Sequence, residues 1–369
     1  MVHNRTKTGV EAAIIRIRKT ITDGQDPELR YANIGAASIA LELKRLKIKP
    51  PHRATINRIF GRHDLLQPRQ RKNKRHKLPE DYPWPKADLA NALHQVDFVS
   101  RRLGDSAEHF YGCHLLDLAR RWPYLRIITT KSVQKVSQFL VSAWQEVGLP
   151  VAVQIDNDIV WNGGGRGQRV LSTIVRLCLA VGVEVIFIPP YTPIANGVIE
   201  SFNELWDANF WGRTKFGNVD HVETELPLFE TYCRHRRPLP EFDGHTADQI
   251  YPDFKPVRLP TDFDLHLQKR IAIRTGFVHF IRFVSPLGSI SILNESWPLD
   301  KNLWAGATVR ATIDTQAQQL NIYHHPAKAD HCQLIAQFDY PLSEDIVPLD
   351  PAYTQTHPPI WPAVKAFSC

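Results

Sequence analysis

Three acidic residues stand where carboxylates can do phosphoryl chemistry. Asp97 lies inside the short run Val96-Asp97-Phe98-Val99, and Asp156 closes the apolar run of Val153-Gln154-Ile155-Asp156-Asn157. Glu200 falls in the first turn of a helix that follows the turn Pro190-Tyr191-Thr192-Pro193-Ile194-Ala195-Asn196-Gly197. Acids on a sheet and a neighbouring helix suit Mg²⁺, which takes oxygen ligands, keeps several waters and needs no His or Cys cluster. The anionic oxygens of a phosphodiester repel nucleophiles. A pair of divalent ions overcomes this by activating the attacking oxygen and stabilising the leaving one. Each acid has a rival: Asp117 in Leu115-Leu116-Asp117-Leu118 for Asp97, Asp158 for Asp156, and Glu204, one turn on, for Glu200. Asp156 also has an ordinary alternative as a turn or helix cap.

The elements that must carry these acids follow from periodicity. Strands are expected over 95–100, 109–118 and 124–129, joined by short turn-rich links that make them antiparallel neighbours. Alternating helix and strand follow: helix 132–147, strand 151–155, helix 169–181, strand 183–188, then helices 195–211 and 219–236. This order predicts an α/β mixed sheet. In the helix bearing Glu200, Ile199, Phe202, Trp206 and Phe210 form the apolar stripe and Glu200 lies off it. The Gly-rich segment Gly163-Gly164-Gly165-Arg166-Gly167 lacks the Lys-Ser/Thr of a nucleotide-binding loop, and reads either as a flap or as a surface loop.

The flanks read differently. Residues 10–66 are expected to be helical, with breaks at Thr22-Asp23-Gly24 and Lys49-Pro50-Pro51, the form of a helix-turn-helix. Ile56, Ile59 and Phe60 would then pack while Thr55, Asn57 and Arg58 face a DNA groove. The basic run Arg69 to Lys77 has six cationic residues in nine, including Arg71, Lys72, Lys74 and Arg75. It reads as an extended linker that also neutralises phosphates. After a Pro- and Asp-rich link, short strands at 278–284, 289–293, 307–313 and 319–323 predict a small β-barrel, and the Pro-rich 341–369 a loosely ordered tail. The expected domains are 1–66, linker 67–85, core 86–251, barrel 264–340 and tail 341–369.

Composition bounds the rest. At 369 residues, two to four domains are expected, and a net charge of +7 suits a polyanionic partner. The cysteines, five in number and without CxxC spacing, point away from a zinc site or disulfide framework and towards a reducing cytosol. No run reaches the length of a membrane span.

The order Asp97, Asp156-Asn157, then Asn196-Gly197-Val198-Ile199-Glu200 resembles the catalytic core of DDE transposases and retroviral-type integrases, with the bacterial insertion-sequence branch nearest. The resemblance spans roughly residues 85–250, and the N-terminal helices resemble the DNA-binding arm of such transposases. It implies an RNase H-like five-stranded core and makes Asp97, Asp156 and Glu200 the triad holding two Mg²⁺ (or Mn²⁺) ions. Tyr191 and Asn196, with Thr192 and Pro193, become contacts to the DNA end. The implied partners are element-end and target DNA and further copies of the chain assembled on it. No nucleotide cofactor and no membrane is implied, and the location is the bacterial cytoplasm at the nucleoid.

Overall fold

The computed structural model describes residues 6–24, 26–66, 77–104, 108–163, 167–263 and 270–365. The chain divides into two compact units, one made of residues 1–75 and 203–252, the other of 76–202 and 253–369.

The first unit is helical. Its N-terminal helices are α1 (Thr8–Asp23), α2 (Ala36–Arg45) and α3 (Arg53–Arg62). Gly24, at φ 64°, ends α1 in the left-handed conformation that glycine adopts without steric cost. Ile56, Ile59 and Phe60 of α3 are buried, as their spacing predicts. α1 and α2 add Ile14, Ile17, Ile21, Ile39 and Leu43 to this core, and more of it comes from beyond residue 202. Tyr31 packs edge-on against Phe229 at 5.3 Å and touches Phe210 and Tyr232, while its hydroxyl donates to Glu225 at 2.8 Å. The expected boundaries therefore shift: residues 203–252, assigned to the catalytic core by sequence, complete the N-terminal helical unit.

The second unit is built on one sheet. β1 (Leu93–Arg102), β2 (His109–Asp117) and β3 (Trp122–Ile128) form an antiparallel meander. After α4 (Val133–Glu146), β4 (Ala152–Ile155) pairs parallel to β1. The short α5 (Ile159–Asn162) and α6 (Thr173–Ala180) lead to β5 (Glu184–Phe187), parallel to β4. The spatial order β3-β2-β1-β4-β5 is that of an RNase H-like sheet. β4 and β5 are short strands, buried except at Glu184 and apolar except at Gln154 and Glu184. The chain then enters α7 (Gly197–Trp206), α8 (Val219–His235) and α9 (Ala247–Ile250).

The C-terminal strands depart from expectation. They are β6 (Ile273–Arg274), β7 (Phe277–Phe283), β8 (Ser289–Ile292), β9 (Glu295–Pro298), β10 (Thr308–Asp314), β11 (Gln319–His324), β12 (His331–Asp339), β13 (Ile346–Val347) and β14 (Ala363–Lys365). β7 pairs parallel to β5, and β10, β11, β12 and β14 follow, so the sheet has ten strands rather than five with a separate barrel. The physical reason is the free edge of β5: its apolar Val185 and Phe187 need a neighbour, and Phe280 of β7 stacks on Phe187 at 4.9 Å. The tail is docked as well. Ile360 is buried and its carbonyl accepts from Lys86 N at 2.7 Å, while Trp361 lies over the Arg310 guanidinium at 4.4 Å. No described helix is long and apolar enough to cross a membrane.

A chain truncated after residue 263 should therefore lose the fold of the sheet unit, because it bares β5 and removes Phe280, whose burial alone is worth about 1.5–3 kcal/mol. Expression of residues 77–263 followed by thermal unfolding checks this. A soluble fragment with a cooperative transition close to that of the full chain would refute the integrated sheet.

Candidate active site

The parallel pairing of β1 with β4 sets Leu93 against Ala152, His94 against Val153 and Gln95 against Gln154. Two residues further in the same register, Asp97 comes level with Asp156. Side chains alternate along a strand, so both aspartates leave the sheet on the face that carries Gln95 and Gln154.

Those two glutamines fix the third acid. Gln154 Nε2 donates to the Ala195 carbonyl at 2.9 Å and to Asn196 Oδ1 at 2.8 Å. Gln95 Oε1 accepts from the backbone N–H of Ile199 at 3.0 Å. That N–H belongs to the first turn of α7, where helix geometry supplies no internal partner. Gln95, Gln154 and Asn196 are 3, 1 and 3% exposed, so these bonds form away from water, where an unmade one is costly. Two amides from adjacent strands thus hold the start of the helix whose next residue is Glu200.

The result is one cleft of about 350 Å³ lined by Asp97, Asp156 and Glu200, with Asn157, the segment Ile188 to Pro193 and Asn196 around them. All three acids are half-buried. Burial, reinforced by the nearby Asp158 charge, pushes the Asp156 carboxyl above the usual carboxylate range, against the backbone N–H of Asp158 that it accepts at 3.0 Å. Among the described residues, no group of three or more His, Cys, Asp and Glu is drawn together closely enough to hold a metal ion. The acids share a cleft without closing a ligand shell. The donor set still fits Mg²⁺, being all oxygen and open to water, and a cation would relieve the disfavoured charge of Asp156.

The rivals have other tasks. Asp158 caps α5 through Val160 N at 3.1 Å and is ion-paired to Lys131. Asp117 is fully buried and accepts from Asn91 N and Ala119 N, each at 3.1 Å. Desolvation raises its carboxyl to about 6 despite the adjacent Arg120. It ties down the strand ends three residues before Asp97, where His94 bonds Asn91 Oδ1 at 3.1 Å. Glu204 is exposed and does not line the cleft.

Of the expected DNA contacts, Tyr191 stands wholly in solvent at the cleft mouth, in a left-handed backbone conformation with φ 56°. Such a conformation is strained for a tyrosine, and an outlier of this kind is a pointer to function. Asn196 lines the cleft, and its side-chain carbonyl accepts from Gln154. In the helical unit, Asn57 and Arg58 are exposed and Thr55 half-buried on α3. Arg71, Lys72, Lys74 and Arg75 lie outside the described residues, as do 164–166 of the Gly-rich segment.

Sequence reasoning missed Gln95, Gln154 and Arg282. Arg282, from β7, donates to Asn157 Oδ1 at 3.0 Å and to the Ile188 carbonyl at 3.1 Å. Asn157 itself donates to the same carbonyl at 2.6 Å. The residue beside Asp156 and the end of β5 are thereby locked to the C-terminal strands.

No protein-family model matches the chain, and no curated protein matches it. Among solved structures it is similar to a chain of the simian T-cell lymphotropic virus intasome in complex with the PP2A regulatory subunit B56 gamma. The identity is 14% and the TM-score 0.40, over 87% of this chain and 99% of that one. It is also similar to the HTLV-2 integrase catalytic core domain in complex with magnesium, at 12% identity and TM-score 0.35, over 45% of this chain and 99% of that one. The catalytic core domain of BIV integrase matches at 19% identity and TM-score 0.33, over 44% and 95%. These are distant likenesses, and the fold assignment rests on the strand order itself.

Gln95→Leu and Gln154→Leu should each cost about 1–3 kcal/mol, by leaving buried donors or acceptors unmade. Because both amides hold one helix start, the double variant should lose less than the sum. Denaturant titration of the four proteins measures this, and strict additivity would remove the shared clamp. Asp117→Asn should also destabilise by about 1–3 kcal/mol, since an amide N–H₂ must then face a backbone donor; an unchanged midpoint would count against that role.

Proposed function

We propose that the chain is a metal-dependent polynucleotidyl transferase acting on DNA, of the transposase or integrase kind. The observation that carries this is the meeting of Asp97, Asp156 and Glu200 in one cleft, delivered by two adjacent strands and a clamped helix. Divalent ions bound there would supply the activation of the attacking oxygen and the stabilisation of the leaving oxygen. Asp97 and Asp156, level on neighbouring strands, would hold them, with Glu200 completing the set.

The chain's own residues do the rest. Asn157, fixed by Arg282 and Ile188, keeps the Asp156 turn from relaxing towards solvent. Tyr191 offers an exposed ring to a nucleobase at the cleft mouth. The surface of α3, with Asn57 and Arg58 in solvent and Thr55 beside them, would read a groove. The basic run with Arg71, Lys72, Lys74 and Arg75 neutralises phosphates. One metal site accepts either water or a 3′-hydroxyl as nucleophile, and binding decides which is in line. We therefore assign both end cleavage and strand transfer, without a nucleotide triphosphate, to copies of the chain gathered on DNA. The bacterial insertion-sequence branch and a nucleoid location complete this reading.

Asp97→Asn, Asp156→Asn and Glu200→Gln should each abolish Mg²⁺- or Mn²⁺-dependent cleavage and joining of a pre-cut DNA end to a plasmid. Stability should hold, because a neutral amide keeps the shape, and Asp156→Asn also removes a charge that burial disfavours. Wild-type protein should gain thermal stability on adding Mg²⁺, and the variants should not, as ligand binding to the folded state requires. Substantial cleavage by Asp156→Asn would rule out the triad. Efficient cutting with no joined product would make the chain a nuclease.

A further inference from the structure

A second, larger hollow adjoins the acid cleft. Its volume is about 1000 Å³ against about 350 Å³ for the cleft, and the two share Asn157 and Pro190 in their walls. It runs from there to the β8–β9 hairpin. Among the described residues, three guanidinium groups line it, Arg176, Arg270 and Arg282, and no Asp or Glu does. Arg176 and Arg270 both reach Glu344, which lies behind the wall, so a single carboxylate serves two cations. Arg282 is desolvated, and its hydrogen bonds among the described residues go to Asn157 and to the carbonyls of Ile188, Ile281 and Ser291. None of these is a charged acceptor. Alongside the cations stands Phe283, 41% exposed, at the end of the same strand, and exposed Ser291 on the hairpin.

A polyanion explains each part of this wall. Surplus positive charge beside an acidic cleft attracts phosphates that the cleft itself would repel, and an exposed aromatic ring beside guanidiniums is the composition of a surface that stacks bases and tracks a backbone. The shared residues make the two hollows one path. We propose that this groove binds the DNA strand leading into the acid cleft, so that the C-terminal strands form part of the substrate site. The proposal rests on the polynucleotidyl transferase reading above.

Photocrosslinking tests it in the full chain. A benzophenone amino acid is placed at position 283, 291 or 191, with position 364 as a distant exposed control, and the probe is an end-labelled oligonucleotide, single-stranded or duplex. Adducts at 283 and 291 and none at 364 are expected. Arg270→Ala, at an exposed side chain, should reduce those adducts and lower the slope of log affinity against log salt by about one, the signature of one lost phosphate contact. Adducts at 191 without any at 283 or 291 would overturn the groove while leaving the proposed function standing. Absence of adducts at all three positions, with no metal-dependent cleavage, would overturn both.

Discussion

The parallel register of β1 on β4 is the constraint on which the site depends. It sets two aspartates side by side and, two residues below them, two buried glutamines. A slip of one residue would turn all four side chains to the opposite face. The glutamines then transmit the register to α7, one by accepting an orphan helix N–H and the other by gripping Ala195 and Asn196. Three like charges gather in a small cleft at an electrostatic cost. The uncharged amides beneath them hold that arrangement without adding to the repulsion or quenching it, as a lysine in their place would.

The sheet makes the site depend on chain far from the acids. Through Arg282, β7 reaches Asn157 and Ile188, and through Phe280 it covers Phe187. The turn at Asp156 and the packing of β7 on β5 are therefore one mechanical system. A substitution in β7 reaches the cleft through two hydrogen bonds and a stacked ring.

Much of this was legible in the sequence. The strands from Leu93 to Phe187, the helix that begins beside Asn196 and its stripe of Ile199, Phe202, Trp206 and Phe210 follow from local periodicity, whereas the choice of Asp97, Asp156 and Glu200 over their rivals comes from the resemblance of their motif order to a DDE core. The glutamines were legible in principle. Each is a polar residue in an apolar strand, two positions before an aspartate and so on its face. Their partners are a turn and a helix start some forty or a hundred positions away, and no local pattern names those. The barrel and tail were misread for a related reason. Short alternating strands look the same whether they close on themselves or add to an existing edge, and the open edge of β5 is a property of the assembled sheet. The split of the helical unit was hidden likewise, since the aromatic residues around Tyr31 come from a distant segment lying between the two stretches of the sheet unit.

The interleaving of the two units has a consequence for the order of events in synthesis. The helical unit begins before the sheet unit and finishes after β5, while the sheet receives β7 roughly ninety residues after β5 ends. Closing a loop of that length rather than one of about ten costs only about 2 kcal/mol in entropy, because the cost grows with the logarithm of length. Equilibrium therefore tolerates the arrangement, but the growing chain must wait. Until β7 has left the ribosome, Asn157 lacks its guanidinium and the aspartates stand on a sheet with an unfinished edge. The cleft thus takes its final form after most of the chain exists, and the same delay leaves an apolar strand edge in need of shelter meanwhile.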